Sequence, residues 1–305
     1  LNQVFALSNH LVVFISFLRL TQRSTMATMN PMKSRQSSTP HLCFVKFGGS
    51  LITDKAKPRT PRKDVIARLA GEIRLAEDQI KGLRLLLGHG SGSFGHVPAK
   101  IHGTRKGVES RADWKGFAEV WFDASSLNRL VIEALHKVDL PAVSFPISAA
   151  VTTKDGQVSD WNLGPIDSAL NAGLLPVVYG DVVFDTLKGG TILSTEDIFT
   201  NLARRFKPRR ILLSGIDEFV WADYPLCKHP IREITTENWQ EVSQVLGGSS
   251  TVDVTGGMAT KVHTMIALTA EIPGLSVRIF SGDHPGNLVA VLEGRSLGTR
   301  ISQSS

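Results

Sequence analysis

Lys46 ends an apolar run and leads directly into Phe47-Gly48-Gly49-Ser50, so a cation and a glycine turn share one strand end. A second run finishes in Gly88-His89-Gly90-Ser91-Gly92-Ser93-Phe94-Gly95-His96, a glycine turn with a histidine at its exit. Glycine lets backbone N–H groups close on an anion, and such turns recur where phosphates bind. Two of them imply two phosphorylated ligands held face to face. The chemistry this calls for is phosphoryl transfer between small molecules.

A third turn, Asp253-Val254-Thr255-Gly256-Gly257-Met258, opens a predicted helix with Lys261 on its first turns. Free N–H groups at a helix N-terminus attract anions, and Lys261 reinforces them. Thr255 as a plain helix cap is compatible with that reading. Ser194-Thr195-Glu196-Asp197 fits a capping pattern ahead of Ile198. If Lys46 and Lys261 converge, a carboxylate between them keeps both ammonium groups oriented. Asp197 is the candidate for that duty.

Two rival chemistries share some of these residues. Gly90, Gly92 and Gly95 formally spell G-x-G-x-x-G, which invites a dinucleotide-binding oxidoreductase. That architecture needs a second strand ending in an acid about twenty residues later. The chain instead continues through Lys100-Ile101-His102-Gly103-Thr104-Arg105-Lys106, polar and not strand-like. The P-loop pattern is absent as well, because His96 stands where its lysine belongs.

Positioning such turns takes strands that end together. From residue 41 onward, short β-rich runs alternate with amphipathic helical patterns, which predicts an α/β fold with a largely parallel sheet. Strands are expected over 42–47, 83–87, 142–145, 175–179, 211–214, 277–280 and 288–292. Helices are expected over 62–81, 111–138, 166–172, 195–206, 236–246 and 257–270. A hairpin joins 182–184 to 191–193 through Lys188-Gly189-Gly190. The reading is one domain over 41–300, with an acceptor lobe over about 41–194 and a nucleotide lobe over about 195–300.

Composition agrees with an ordinary globular chain: 42% hydrophobic and 20% charged residues in a length of 305. Arg19, Arg23, Lys33 and Arg35 supply four of the six excess positive charges, and no acid precedes Asp54. The basic balance is therefore weak support for nucleic-acid binding, and an anion pocket accounts for the rest. Cys43 and Cys227 form neither a disulfide framework nor a zinc pattern, in keeping with a reducing compartment. Residues 1–40 read as a disordered leader or an upstream extension, with the working protein starting near Met26 or Met29. An organelle-targeting leader is the competing reading, and the apolar stretch 11–18 is too short to span a membrane.

Taken in order, the three glycine turns, Tyr179-Gly180-Asp181, the segment 194–197 and Ser214-Gly215-Ile216-Asp217 resemble the amino-acid kinase superfamily. The resemblance covers roughly 41–298 and is strongest to its isopentenyl phosphate kinases. Gly92-Ser93-Phe94-Gly95-His96 is the discriminating element, which fosfomycin kinases share. The resemblance implies a three-layer αβα sandwich, with ATP on the carboxyl-terminal half and isopentenyl monophosphate on the amino-terminal half. Lys46, Gly48, Gly49, Ser50, Gly92, Asp217, Gly257 and Lys261 would then serve the nucleotide. Ser91, His96 and Gly180 would hold the acceptor phosphate. Lys55 would be the transition-state lysine, so that the catalytic set is Lys55, His96, Lys46 and Asp197. The loop 219–225 would lie beside adenine, with Trp221 where relatives often carry tyrosine.

The same resemblance implies isopentenyl diphosphate as product, for isoprenoid biosynthesis, and Mg²⁺ carried in with the nucleotide rather than held in a protein metal site. A homodimer in the cytoplasm, without nucleic-acid partners or a membrane span, completes the expectation. A phosphate monoester has a second pKa of about 6 and needs no general base. His96 should therefore position the acceptor and Lys55 should govern turnover. Trp114, Phe117 and Trp121 follow i, i+3, i+7 spacing and read as plain core or as a wall for a five-carbon tail. Phe145-Pro146-Ile147-Ser148-Ala149-Ala150 offers a second wall.

Overall fold

The computed structural model describes residues 41–247 and 257–304. β1 (Leu42–Phe47) enters the single turn α1 (Gly49–Ile52), a loop and α2 (Lys63–Gln79). β2 (Arg84–His89) leads to α3 (Gly92–His102), the long α4 (Arg111–His136) and β3 (Ala142–Ser144). A hairpin of β4 (Val151–Lys154) and β5 (Gln157–Trp161) precedes α5 (Gly164–Asn171), β6 (Leu175–Tyr179) and a second hairpin, β7 (Asp181–Asp185) with β8 (Gly189–Leu193). Then come α6 (Thr195–Phe206), β9 (Arg210–Gly215), the short β10 (Val220–Trp221) and β11 (Pro230–Ile231), and β12 (Glu233–Thr235). The last elements are α7 (Trp239–Gly247), α8 (Met258–Glu271), β13 (Ser276–Ser281), α9 (Asn287–Leu292) and β14 (Thr299–Ser302).

Eight strands form the central sheet in the order β12-β14-β13-β9-β1-β2-β6-β3. β3, β6, β2, β1, β9 and β13 run parallel, and β14 pairs antiparallel to β13. Alternation along β1 sorts its side chains to two faces. Phe44 joins the core beneath α6 and α8, whereas Cys43, Val45 and Phe47 join the core beneath α2, α4 and α9. Helices thus cover both faces, giving three αβα layers. Phe44 is fully buried, its ring 5.2 Å from that of Phe199 on α6, which contributes about 1.5–3 kcal/mol of apolar burial. Burial pushes the Cys43 thiol up to about 12, so it packs as an inert hydrophobe.

Most expected elements fall where the pattern puts them, including the 182–193 hairpin, whose strands pair Asp181 with Leu193 through Asp185 with Gly189. Residues 288–292, read as a strand, are helix α9. An apolar run this short fits either period. Here Gly286 turns the chain at φ +83°, and buried Glu72 accepts N–H bonds from Leu288 and Val289, which caps a helix start. α3 was not anticipated, because Gly92, Gly95 and Pro98 weaken its helical signal. The hairpin β4–β5, β12 and β14 also escaped the pattern. β4 joins β7 in parallel to build a second, four-stranded sheet, β5-β4-β7-β8. The expected leader and the residues Asp253, Thr255 and Gly256 lie outside the described residues.

Candidate functional site

In parallel register Lys46 stands beside Gly88 and Leu213, so β1, β2 and β9 end at one edge. The two glycine turns meet there backbone to backbone. A Cβ on Gly49 would fall 2.5 Å from the Gly92 nitrogen, and one on Gly90 would fall 2.8 Å from the Gly49 nitrogen. Gly92 holds φ +49°, and a Cβ on it would overlap Thr53 Oγ1. Gly48 donates its N–H to Ser214 O at 2.8 Å, tying the first turn to β9. These contacts require glycine and leave a side-chain-free cradle, the shape a phosphate needs. Ser91 sits at the entry to α3 and makes no capping hydrogen bond, and Gly95 leaves the space its hydroxyl occupies.

Lys46 follows Phe44 on the same strand face, one step nearer the sheet edge. α6 crosses that face, so Glu196, one turn before Phe199, meets the ammonium. Lys46 Nζ lies 2.5 Å from Glu196 Oε1, and Lys261 Nζ, from the first turn of α8, lies 4.0 Å from the same oxygen. Lys46 is 8% exposed, so its charge survives only by pairing. Burial, opposed by Glu196 and reinforced by Lys261, holds the Lys46 ammonium below the ordinary lysine range. Burial also works against the Glu196 charge, but the two lysines overcome it and keep the carboxyl well below its usual range. The result is two cations pre-oriented by one carboxylate.

Asp197 does not fill that bridging role. It occupies the third helical position of a capping box. Its Oδ2 accepts from Ser194 N–H at 2.9 Å and from Ser194 Oγ at 2.7 Å, with Arg105 at 3.8 Å. The carboxylate is turned back to the cap rather than paired with Lys46, and its charge adds only a smaller support to that ammonium than Glu196 does. The capping pattern itself held the signal: an acid committed to the box leaves its neighbour, Glu196, to face the strand.

The remaining predicted residues surround this edge. Gly180 donates its N–H to His89 O at 3.2 Å, and Thr195 Oγ1 donates to the same carbonyl at 2.7 Å. Gly257 precedes α8, and Lys261 N–H closes its first turn on Gly257 O at 3.2 Å. Ser50 lies in α1. His96 is exposed on the second turn of α3, Lys55 is exposed on the loop after α1, and Asp217 is exposed just past β9. His89 is a residue the sequence reading passed over. It is fully buried, stacks on Tyr179 at 5.3 Å, and faces Gly90 O and Asn128 Oδ1, each at 3.1 Å. Burial lowers its pKa, and the neutral ring has one N–H to share between these oxygens. The aromatic stripe divides: Trp114 and Phe117 pack with Phe184, whereas Trp121 is 45% exposed. Among the described residues, no helix is long and apolar enough to cross a membrane.

The profile of the amino acid kinase family matches residues 41–281, which takes in every element of this edge. The chain belongs to the amino acid kinase family. Among its relatives is the isopentenyl phosphate kinase of Methanocaldococcus jannaschii, 34% identical over 272 residues, covering 86% of this chain and 99% of that one. That of Methanothermobacter thermautotrophicus is 33% identical, with the same coverage. A solved structure of an isopentenyl phosphate kinase superposes with a TM-score of 0.72 at 30% identity, over 86% of this chain and 100% of that one. In this family member, then, the second glycine turn serves the start of α3. The strand and acid required by a dinucleotide fold do not follow it, because residues 92–102 are helical.

Proposed function

We propose that the chain transfers the γ-phosphoryl group of ATP to the phosphate of isopentenyl monophosphate, releasing ADP and isopentenyl diphosphate. The observation that carries this reading is the convergence of Lys46 and Lys261 on Glu196 beside glycine turns whose backbones touch. Lys46, Gly48, Gly49, Ser50, Gly92, Gly257 and Lys261 take the nucleotide phosphates, and Asp217 takes part in the nucleotide site. Ser91, Gly180 and His96 take the acceptor phosphate. Lys55 stabilises the charge that spreads over the transferring group.

A dianionic acceptor is already a nucleophile near neutral pH, so His96 orients it rather than removing a proton. The harder task is bringing two anions together, and the lysines offset that repulsion. Among the described residues, no three His, Cys, Asp or Glu side chains gather to hold a metal. Mg²⁺ arriving with the nucleotide would supply charge neutralisation for the transfer. We further infer a cytoplasmic homodimer: both cysteines are free, as in a reducing compartment, and light scattering giving the mass of two chains tests the assembly.

ADP release, measured with isopentenyl phosphate, dimethylallyl phosphate, fosfomycin or no acceptor, tests the reading. Release driven by isopentenyl phosphate is expected. Release with fosfomycin alone would move the chain to phosphonate kinases, and release with no acceptor compound would end the kinase reading.

A further inference from the structure

The loop that carries Lys55 has a fixed neck and an exposed tip. Asp54 N–H donates to Thr60 O at 2.9 Å, Arg62 N–H donates to Ile52 O at 2.8 Å, and Thr53 bridges Pro61. Beyond this neck the tip leans on the acceptor-side helices. Arg59 N–H reaches Ser93 O, and Thr60 N–H reaches Ser93 Oγ, both at 3.4 Å. These are long bonds. The stronger tie is the Arg59 side chain.

Arg59 holds φ +50°, a left-handed conformation that glycine enters freely and an L side chain enters at a cost. Its side chain crosses to α4. The guanidinium sits 5.4 Å above the Phe122 ring, and Nε stands 3.2 Å from Asp123 Oδ1. Asp123 is 3% exposed, and among the described residues its Oδ1 has no hydrogen bond of good alignment and Arg59 is its ion-pair partner. Burial pushes the Asp123 carboxyl above its ordinary range, with Glu119 adding to it, and Arg59 is the cation that counters them. A buried aspartate in mid-helix is a poor choice for packing alone. The neighbouring Ala124 backs the acceptor turn, since a Cβ on Gly95 would lie 4.0 Å from its methyl. The tie therefore lands on α4 level with the turn that precedes His96.

We propose that Arg59 is a positioning residue: its ion pair with Asp123 latches the Lys55 loop to α4 and so sets Lys55 over the transferring phosphoryl group. The latch rests on the role given to Lys55 above. Arg59 touches no reactant and acts through Lys55. The buried carboxylate is half of the device.

Steady-state kinetics of Arg59→Ala, Arg59→Lys, Asp123→Asn, Lys55→Ala and the Arg59→Ala/Lys55→Ala double variant test it. Arg59→Ala should lower kcat by about 10–30-fold with both KM values within about 3-fold. Asp123→Asn should reproduce that loss without disturbing the packing, and Arg59→Lys should recover at least about a third of the rate. In the Lys55→Ala background, Arg59→Ala should cost less than about 2-fold, because the group it positions is gone. A slow Lys55→Ala beside a fast Arg59→Ala overturns the latch alone, as does an equal Arg59→Ala loss in both backgrounds. Full turnover in Lys55→Ala overturns the parent reading and the latch with it.

Discussion

Glu196 and Asp185 are both shielded carboxylates kept ionised by their surroundings, and they achieve it in opposite ways. Asp185, at the end of β7, accepts from Thr153 Oγ1, Gly156, Asp155, Leu187 and Lys188 N–H at 2.7–3.1 Å. Its donors are backbone groups of two hairpin turns and one hydroxyl, none of which can be shared with a ligand. Glu196 is held instead by two ammonium groups on different elements. Ammonium groups have three donors each, so both lysines keep bonding capacity for phosphates while paired. A carboxylate satisfied by backbone fixes a fold, whereas one satisfied by long cations from a strand end and a helix start leaves a site with charge to offer.

The largest effect that would sharpen this contrast is in Glu196→Gln. The amide keeps the size but removes the countercharge that orients Lys46 and Lys261. Turnover should fall by about 10²–10³-fold, and leaving the buried Lys46 ammonium uncompensated should cost about 3–5 kcal/mol in urea denaturation. A variant that turns over normally would show that the lysines orient themselves, and the contrast would lose its functional half.

Asp185→Asn should show the reverse balance, with ADP release within about 2-fold of normal and a Tm lower by about 5 °C at pH 7. The sign with pH follows from the depressed carboxyl. Burial raises its pKa, but the five donors overcome this and hold it far below the usual range. An ionised Asp185 stabilises the fold fully above the unfolded aspartate pKa of about 3.9, and the contribution fades as pH falls below that value. The Tm gap between wild type and Asp185→Asn should therefore be full at pH 7 and shrink below about pH 4. A gap that persists unchanged at pH 3 would mean that the charge of Asp185 is not what the hairpin turns rely on.

The same contrast marks what a sequence can disclose. Strand ends, glycine turns and the lysines beside them were legible, because a turn needing glycine and a strand alternating in burial leave local patterns. Residues 288–292 were misread because five apolar residues carry no decisive period. What separates strand from helix there is Glu72, a distant carboxylate that caps the helix. α3 was missed because the glycines that make the cradle also erase helix propensity. Asp123 and Arg59, sixty-four positions apart, have no sequence signal for their pairing, since only the packing of the loop on α4 joins them.

The bridging carboxylate was nearly legible, one residue away from the correct choice, and the smallest predicted effect tests that distinction. Asp197→Ala breaks the capping box of α6, which costs about 1 kcal/mol, as loss of a helix cap does. Ser194 keeps its own cap to Asp197 N–H, so the first turn stays formed and Glu196 stays aimed at Lys46. Turnover should then fall by less than about 5-fold, at least an order of magnitude less than in Glu196→Gln. The two losses measured side by side decide between neighbouring acids on one helical turn. If Asp197→Ala costs as much turnover as Glu196→Gln while its stability loss stays near that of a cap, the lysines answer to Asp197 when ligands are bound, and the carboxylate seen between them is a resting partner only.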